Sequence, residues 1–314
     1  MSTATPTLAC VVPATDAAVT LERCLEAIAS SEQPPEELVV VTEPAGAGPA
    51  AARNAGAEDS EAELIAFVDS DVVVSPDAFT LIRAAFAADP GLAAVFGAYD
   101  DAPDAPDAVS TFRNLLHHRV HVESAGPATT FWAGLGAVRR PAFERAGGFD
   151  SGRYPRPSVE DVELGMRMAQ AGERIRLDAA IQGKHLKQWS LAGMVRTDFA
   201  DRGVPWARLM LERGSASNAL NLSWRHRAGA AASVLVIFSL CRRRPLAAAL
   251  ALAALAALNV KLYRLLLARR GARAVPAGLA AHVVHHATGV AAAGAAAAGH
   301  ISSGSPASAP TSAD

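Results

Sequence analysis

Short apolar runs alternate with amphipathic stretches over the first two-thirds of the chain. Residues 8–13, 37–42, 64–68 and 93–99 are runs of Val, Leu, Ile and Ala of a length that suits buried strands. Between the first two, residues 17–29 set Leu21, Cys24, Leu25 and Ile28 at helical spacing. Ser75-Pro76 reads as an N-cap followed by proline in the first turn, opening a helix to about residue 88. Residues 100–107, rich in Asp, Ala and Pro, read as a solvated loop. Residues 109–122 then repeat apolar positions at helical intervals through Val109, Phe112, Leu115 and Leu116. Residues 131–138 read as a strand and 158–171 as a helix. This alternation predicts an α/β domain with a mostly parallel, doubly wound sheet. In such sheets ligands sit beyond the carboxyl ends of the strands, and Asp69-Ser70-Asp71 falls at one of them.

The pattern changes near Trp224. Residues 228–241 are apolar, Arg242-Arg243-Arg244-Pro245 interrupts, and residues 246–260 are apolar again. Neither run reaches the roughly 20 residues of a spanning helix. Residues 261–267 extend the second run if Lys261 and Arg264 snorkel. A third stretch, 279–301, is mostly Ala and Gly and carries His282, His285, His286 and His300. The expectation is a domain over residues 1–223, a membrane region of two or three helices over 224–301, and a disordered tail over 302–314.

Charge follows the same division. Residues 1–224 hold 19 Lys+Arg against 30 Asp+Glu, a net of −11, whereas residues 225–314 hold 10 against one, a net of +9. An acidic front with a basic, apolar rear argues against a nucleic-acid partner and for a segment on an anionic membrane. Arg242-Arg243-Arg244 and Arg269-Arg270 read as headgroup anchors. Cys10, Cys24 and Cys241 are too scattered for a disulfide framework or a thiolate metal site. The first apolar run lacks the basic flank of a secretory signal. The expected placement is the cell membrane, multi-pass, with the catalytic domain cytoplasmic.

Two acidic pairs carry candidate chemistry. Asp69 and Asp71, two apart in an extended segment, can turn both carboxylates to one site. Such a pair suits Mg²⁺ or Mn²⁺ already holding a diphosphate; the plain structural alternative is a strand end running into a turn. Glu160 and Asp161 open a helix. Ser158-x-x-Asp161 fits a capping box, while the functional alternative makes one acid a general base toward an acceptor hydroxyl. His117 with His121, and His282 with His286, form i, i+4 pairs, but no HExxH-type glutamate accompanies them.

In order along the chain, these pieces resemble the family 2 glycosyltransferases, which have the nucleotide-sugar-binding fold called GT-A. The resemblance covers roughly residues 8–215. It rests on Val11-Val12-Pro13-Ala14 with Leu21, Cys24-Leu25 and Ile28; on Gly48-Pro49-Ala50-Ala51-Ala52-Arg53-Asn54-Ala55-Gly56; and on Phe67-Val68-Asp69-Ser70-Asp71 at the DxD position. It continues through Phe131-Trp132-Ala133-Gly134, Gly147-Gly148-Phe149-Asp150, Glu160-Asp161 and His185. The resemblance implies an inverting glycosyltransferase that takes a nucleotide-sugar donor, uses Mg²⁺ or Mn²⁺, and serves a lipid or other membrane-accessible acceptor. It implies donor contacts from Pro13, Ala14, Asp16, Glu43, Arg53 and Asp69. Metal ligation falls to Asp71 with Asp69 and His185. Asp161 is the implied base with Glu160 as the alternative, and Trp132, Gly134 and Trp189 are the implied acceptor side. A polyprenyl-phosphate acceptor, or a non-catalytic relative that binds a partner, are the rival readings. Two departures stand out. Residues 39–44 run almost straight into Gly46–Gly56, without the helix and strand usual there. Lys187-Gln188-Trp189 also lacks the Gln-x-x-Arg-Trp of processive synthases, which favours a single transfer.

Overall fold

The computed structural model describes residues 6–16, 19–214 and 223–302. Its sheet is built from β1 (Leu8–Pro13), β2 (Glu37–Val41), β3 (Leu64–Val68), β4 (Val72–Val74), β5 (Leu92–Tyr99), β7 (Leu135–Arg139) and β8 (Arg174–His185), in the order β2-β1-β3-β7-β5-β8-β4. The short β6 (Gly126–Ala128) pairs with β8 off this path.

The sheet is mixed, and this corrects the expectation of a mostly parallel one. β1 runs parallel to β2 and β3, and β5 parallel to β8. β7 enters antiparallel between β3 and β5, and β4 is antiparallel to β8. Apolar run lengths reveal that a strand exists but carry no information on its direction, which the long excursion between β5 and β7 sets. The run at 131–138 also splits. Residues 131–134 are loop and turn, and only Leu135–Arg139 is strand.

Both sheet faces are covered, as continuous apolar strands require. Leu8, Cys10 and Val12 point into one core with α1 (Leu21–Ala29) and α3 (Ala78–Ala88). Val11, Ile65 and Phe67 point into the other. That side is closed by α2 (Pro49–Glu58), α5 (Arg140–Arg145) and α6 (Glu160–Gln170). On it Phe67 packs edge-on to Phe149 and Phe131, with ring centroids 5.2 and 6.4 Å away. The expected cap at Ser75-Pro76 is displaced: α3 starts at Ala78, behind Asp77. Chain economy before β3 is as read from the sequence, since α2 alone connects β2 to β3.

Helix α4 (Ala108–Glu123), capped by the Asp107 carboxylate on Val109 and Ser110 N–H, joins the domain to the C-terminal helices. After β8 come α7 (Leu191–Arg196), a π turn (Thr197–Asp201) and α8 (Gly203–Glu212). Then follow α9 (Trp224–Cys241), α10 (Pro245–Leu258), α11 (Val260–Arg270) and α12 (Ala274–Ser302). Among the described residues no single helix is long and apolar enough to cross a membrane. α10 and α11 pass only as a pair, and they are bent by 82°. The stretch 279–301 lies within one long helix, α12. As part of α12 it packs on α4, α8, α9 and the π turn, and buries Ala281, His282 and His286. Small Ala and Gly side chains let α12 lie close to its neighbours, a signature that composition shares with membrane helices. The tail reading for 302–314 lies outside the described residues apart from Ser302, which ends α12.

Candidate active site

Asp69-Ser70-Asp71 leaves the carboxyl end of β3 in a turn, with Val72 N–H donating to the Asp69 carbonyl at 2.9 Å. That turn interrupts the extended strand between the two acids, and each carboxylate has its own partner. Asp69 Oδ1 accepts from Arg53 Nη2 at 2.7 Å, whereas Asp71 Oδ2 lies 3.3 Å from His185 Nε2. His185 reaches Asp71 because β4 pairs with the end of β8, setting Val72 opposite His185.

Arg53 is the junction of the site. It projects from α2, only 4% of its side chain is exposed, and its second nitrogen donates to Glu160 Oε1 at 2.9 Å. One guanidinium thereby ties the strand-end acid to the start of α6. Asp69 and Glu160 hold Arg53 protonated, its pKa raised despite a burial that opposes it. Glu160 is itself buried and also accepts from Ser158 N–H at 2.9 Å. Its carboxylate is thus shared between Arg53 and the Ser158 N–H. The capping-box reading does not hold: Ser158 Oγ donates to the Asp201 carbonyl, and α6 starts after Val159.

Asp161 is the second acid of the pair. Its Oδ2 accepts from Ala133 N–H at 3.2 Å and its Oδ1 from Val162 N–H at 2.8 Å. Burial pushes its carboxyl up to about 6, the Glu160 charge adds to this, and Arg53 opposes it. A carboxylate poised near neutrality is suited to accept a proton. α6 comes this close to residues 130–133 because Gly165 has no side chain. A Cβ there would stand 2.1 Å from Phe131 N.

Beside Asp71 the cleft is aromatic. His185 stacks on Tyr99, with centroids 4.2 Å apart and planes 10° apart. His117 lies 4.2 Å from Tyr99, and Trp132 meets Tyr99, His117 and His121 at 4.9, 4.8 and 5.1 Å. The Trp132 indole folds over Gly134, where a Cβ would come within 2.5 Å of the ring. Burial pushes His121 down to about 4, so that ring is uncharged near neutral pH. Flat ring faces of this kind can stack against the apolar faces of a bound molecule.

The other expected residues fall as follows. Pro13 and Ala14 are buried at the end of β1, with Ala14 N–H on the Val41 carbonyl at 2.8 Å. Asp16 and Glu43 are exposed on the adjoining loops, which Gly46 N–H links to the Thr15 carbonyl. The Glu43 carboxylate accepts from Ala45 N–H in its own loop and makes no contact with Asp161. Trp189 is 7% exposed and sits among Phe112, Leu115, Met194 and Leu262, a core between α4 and the C-terminal helices. Its ring centroid also lies 6.5 Å from that of His185.

Among the described residues no group of three or more His, Cys, Asp or Glu converges as a complete metal site. Mg²⁺ and Mn²⁺ at diphosphates draw most ligands from phosphate and water, with one or two from protein. Asp71 and His185 could supply ligands of that number, and Asp69 is the acid paired with Arg53. Against the burial that would raise it, His185 and the charge of Lys187 hold the Asp71 carboxyl below its ordinary range. It is the anionic ligand such a cation needs.

Asn114, Tyr99, Arg113 and Asp198 were not legible as site residues. Asn114 Oδ1 lies 2.7 Å from His185 Nδ1, and Arg113 Nη2 lies 2.6 Å from Asp198 Oδ1. A signal was present. Ser110, Asn114, His117 and His121 recur at helical spacing, a polar stripe on a face the structure turns inward.

Comparisons place this geometry among known proteins. Residues 33–147 match the family model described as Glycosyl transferase family 2. The structure is similar to "Mannosyltransferase PcManGT from Pyrobaculum calidifontis in complex with GDP-Man and Mn2+". The TM-score is 0.55 and the identity 18%, over 94% of this chain and 88% of that one. It also overlaps "GalNAc-T7 with UDP, GalNAc and Mn2+" at 12% identity and TM-score 0.47, over 73% of this chain and 51% of that one. The third overlap is residues 1–349 of S. aureus TarS, at 13% and 0.47, over 89% and 90%. No curated protein matches the chain. The fold is GT-A.

Proposed function

We propose that this chain, whose residues 33–147 form a glycosyl transferase family 2 segment, moves a sugar from a nucleoside-diphosphate sugar to a hydroxyl of a lipid or other membrane-accessible acceptor. The observation that carries this reading is the Asp69–Arg53–Glu160 bridge. It brings the end of the DxD strand and the start of the base-bearing helix into one cleft. Asp161 takes the acceptor proton as the acceptor oxygen bonds to the anomeric carbon and the bond from that carbon to the diphosphate oxygen breaks. Attack opposite the leaving group inverts the centre. Two backbone N–H groups hold the Asp161 carboxylate in place for this step. Asp71 and His185 would hold Mg²⁺ or Mn²⁺, which neutralises charge on the departing diphosphate when bound. Arg53 orients Asp69 toward the donor, and the Trp132–Tyr99 wall orients the acceptor. The basic, apolar C-terminal helices support a place at a cell membrane with the catalytic domain on the cytoplasmic side, where nucleotide sugars are made.

The test is calorimetric titration of the purified chain with UDP and GDP, with and without Mn²⁺. Metal-dependent binding of one nucleotide, abolished in Asp71→Ala, is the expected result. A folded sample that binds neither nucleotide overturns the donor assignment.

A further inference from the structure

The C-terminal region holds an apolar surface that none of the described residues covers. α9 and α10 form an antiparallel hairpin. Its base is tied down: a Cβ on Gly229 would meet His286 of α12 at 2.8 Å, and Arg225 bonds the Leu258 carbonyl across the two helices. Beyond the base the hairpin leaves the body of the protein. Leu235, Phe238 and Leu240 on α9 and Leu246 and Leu250 on α10 are 56–74% exposed. Helices apolar on every outward side are stable in water only when something else buries them.

Charge and length identify what buries them. From Arg225 to Ser302 the chain carries ten cationic Lys and Arg residues and no acid. Three of the ten, Arg242, Arg243 and Arg244, form the hairpin tip, and among the described residues Arg243 and Arg244 have no ion-pair partner. The part of α9 beyond the α12 contact, residues 231–241, is roughly 16 Å long at about 1.5 Å per residue. That is half of the roughly 30 Å hydrocarbon core. Inserted upright, the hairpin would leave three arginines near the bilayer centre, where each is costly. Lying flat and sunk below the headgroups of one leaflet, it buries Leu235, Phe238, Leu246 and Leu250 on all sides in acyl chains while the long arginine side chains reach back to the phosphates. The body of the protein lies at both ends of the hairpin, because α11 and α12 return to pack on α4. Entry and exit are therefore on one side.

We propose that α9–α10 is a monotopic dock, lying in one leaflet of an anionic membrane and crossing nothing. This replaces the multi-pass expectation. It rests on the membrane half of the proposed function and is independent of catalysis.

Cys241, exposed at the tip, is a natural reporter, since Cys10 and Cys24 are buried. The full chain is mixed with sealed vesicles of phosphatidylcholine with or without phosphatidylglycerol, floated, and treated with a membrane-impermeant maleimide. Expected are flotation with the anionic vesicles and Cys241 labelling from the outside without detergent. The triple change Arg242→Gln, Arg243→Gln, Arg244→Gln is expected to weaken vesicle binding roughly a hundredfold. Labelling of Cys241 only after detergent would mean that the tip has crossed, and overturns the proposal. So does a chain that ignores vesicles and runs as a dimer, since a second copy would then cover the hairpin. Neither readout involves nucleotide or acceptor, so failure here is separable from failure of the transferase reading.

Discussion

Arg113 and Asn114 are consecutive on α4 and serve opposite directions. Arg113 grips Asp198 of the π turn at 2.6 Å, and Asp198 in turn lies 2.7 Å from His285 on α12. Asn114 presents its oxygen to His185 Nδ1 at 2.7 Å. Asn114 thereby fixes the ring so that Nε2 is the nitrogen on the Asp71 side, the one that would meet a cation there. Asn114→Leu is expected to lower Mn²⁺ affinity by about 10- to 100-fold, read by paramagnetic resonance with pyrophosphate present. It should also move the His185 proton to Nε2, read by nitrogen NMR. Arg113→Leu should leave that tautomer alone and accelerate amide exchange in α12.

Asp161 gives a pH signature with two signs. Its folded pKa, about 6, lies above the ordinary carboxylate value, so the folded state binds this proton more tightly than the unfolded chain does. Its stabilising effect is full below the unfolded pKa and is lost as pH rises through about 6. Activity runs the other way, because only the carboxylate accepts a proton, and kcat/KM should climb through the same region. Asp161→Asn should abolish turnover while raising stability by about 3 kcal/mol at pH 8 and by little at pH 4. Denaturant melts at the two pH values check this.

Removing the Arg53 cation leaves Glu160 buried without a counter-charge. Arg53→Met is expected to cost about 3–5 kcal/mol, the range for breaking one side of a buried pair. The double change Arg53→Met, Glu160→Gln should recover part of that stability without recovering activity, since Asp69 stays unanchored. Urea unfolding and nucleotide titration of the same samples separate the two effects.

Gly165 tests the seating of α6. A methyl group at 2.1 Å from backbone nitrogen must displace the helix. Gly165→Ala is expected to destabilise by about 1–3 kcal/mol. It should also lower kcat more than donor affinity, because the shift moves Asp161 relative to Ala133. Steady-state kinetics beside a thermal melt distinguish this from simple unfolding.

How far the sequence reached depends on which physics each feature obeys. β1, β3 and β5 were readable because a buried strand must be apolar throughout, the half-exposed β2 because its Leu and Val run is unbroken, and α4 because its apolar stripe repeats every turn. β8 was not read. Its exposed and buried residues are interspersed, with Arg174, Arg176 and Lys184 among them. The antiparallel entry of β7 has no local signature at all. The acids at 69, 71, 160 and 161 were visible as pairs, but their division of labour depends on Arg53, which arrives from α2, more than a hundred residues before Glu160. Trp189 shows a double environment that no local pattern carries: its ring packs in the core between α4 and the C-terminal helices and also lies 6.5 Å from the His185 ring.

The Arg53 bridge also bears on how this site can vary between relatives. A guanidinium with one nitrogen on Asp69 and another on Glu160 makes three distant positions a single inherited unit. A chain that exchanges Arg53 for a shorter or neutral side chain gains nothing by keeping Glu160, which would then be a buried charge with no partner. Positions 53, 69 and 160 should therefore be gained and lost together down a lineage, while Asp161, whose anchors are backbone N–H groups, is free to follow the acceptor.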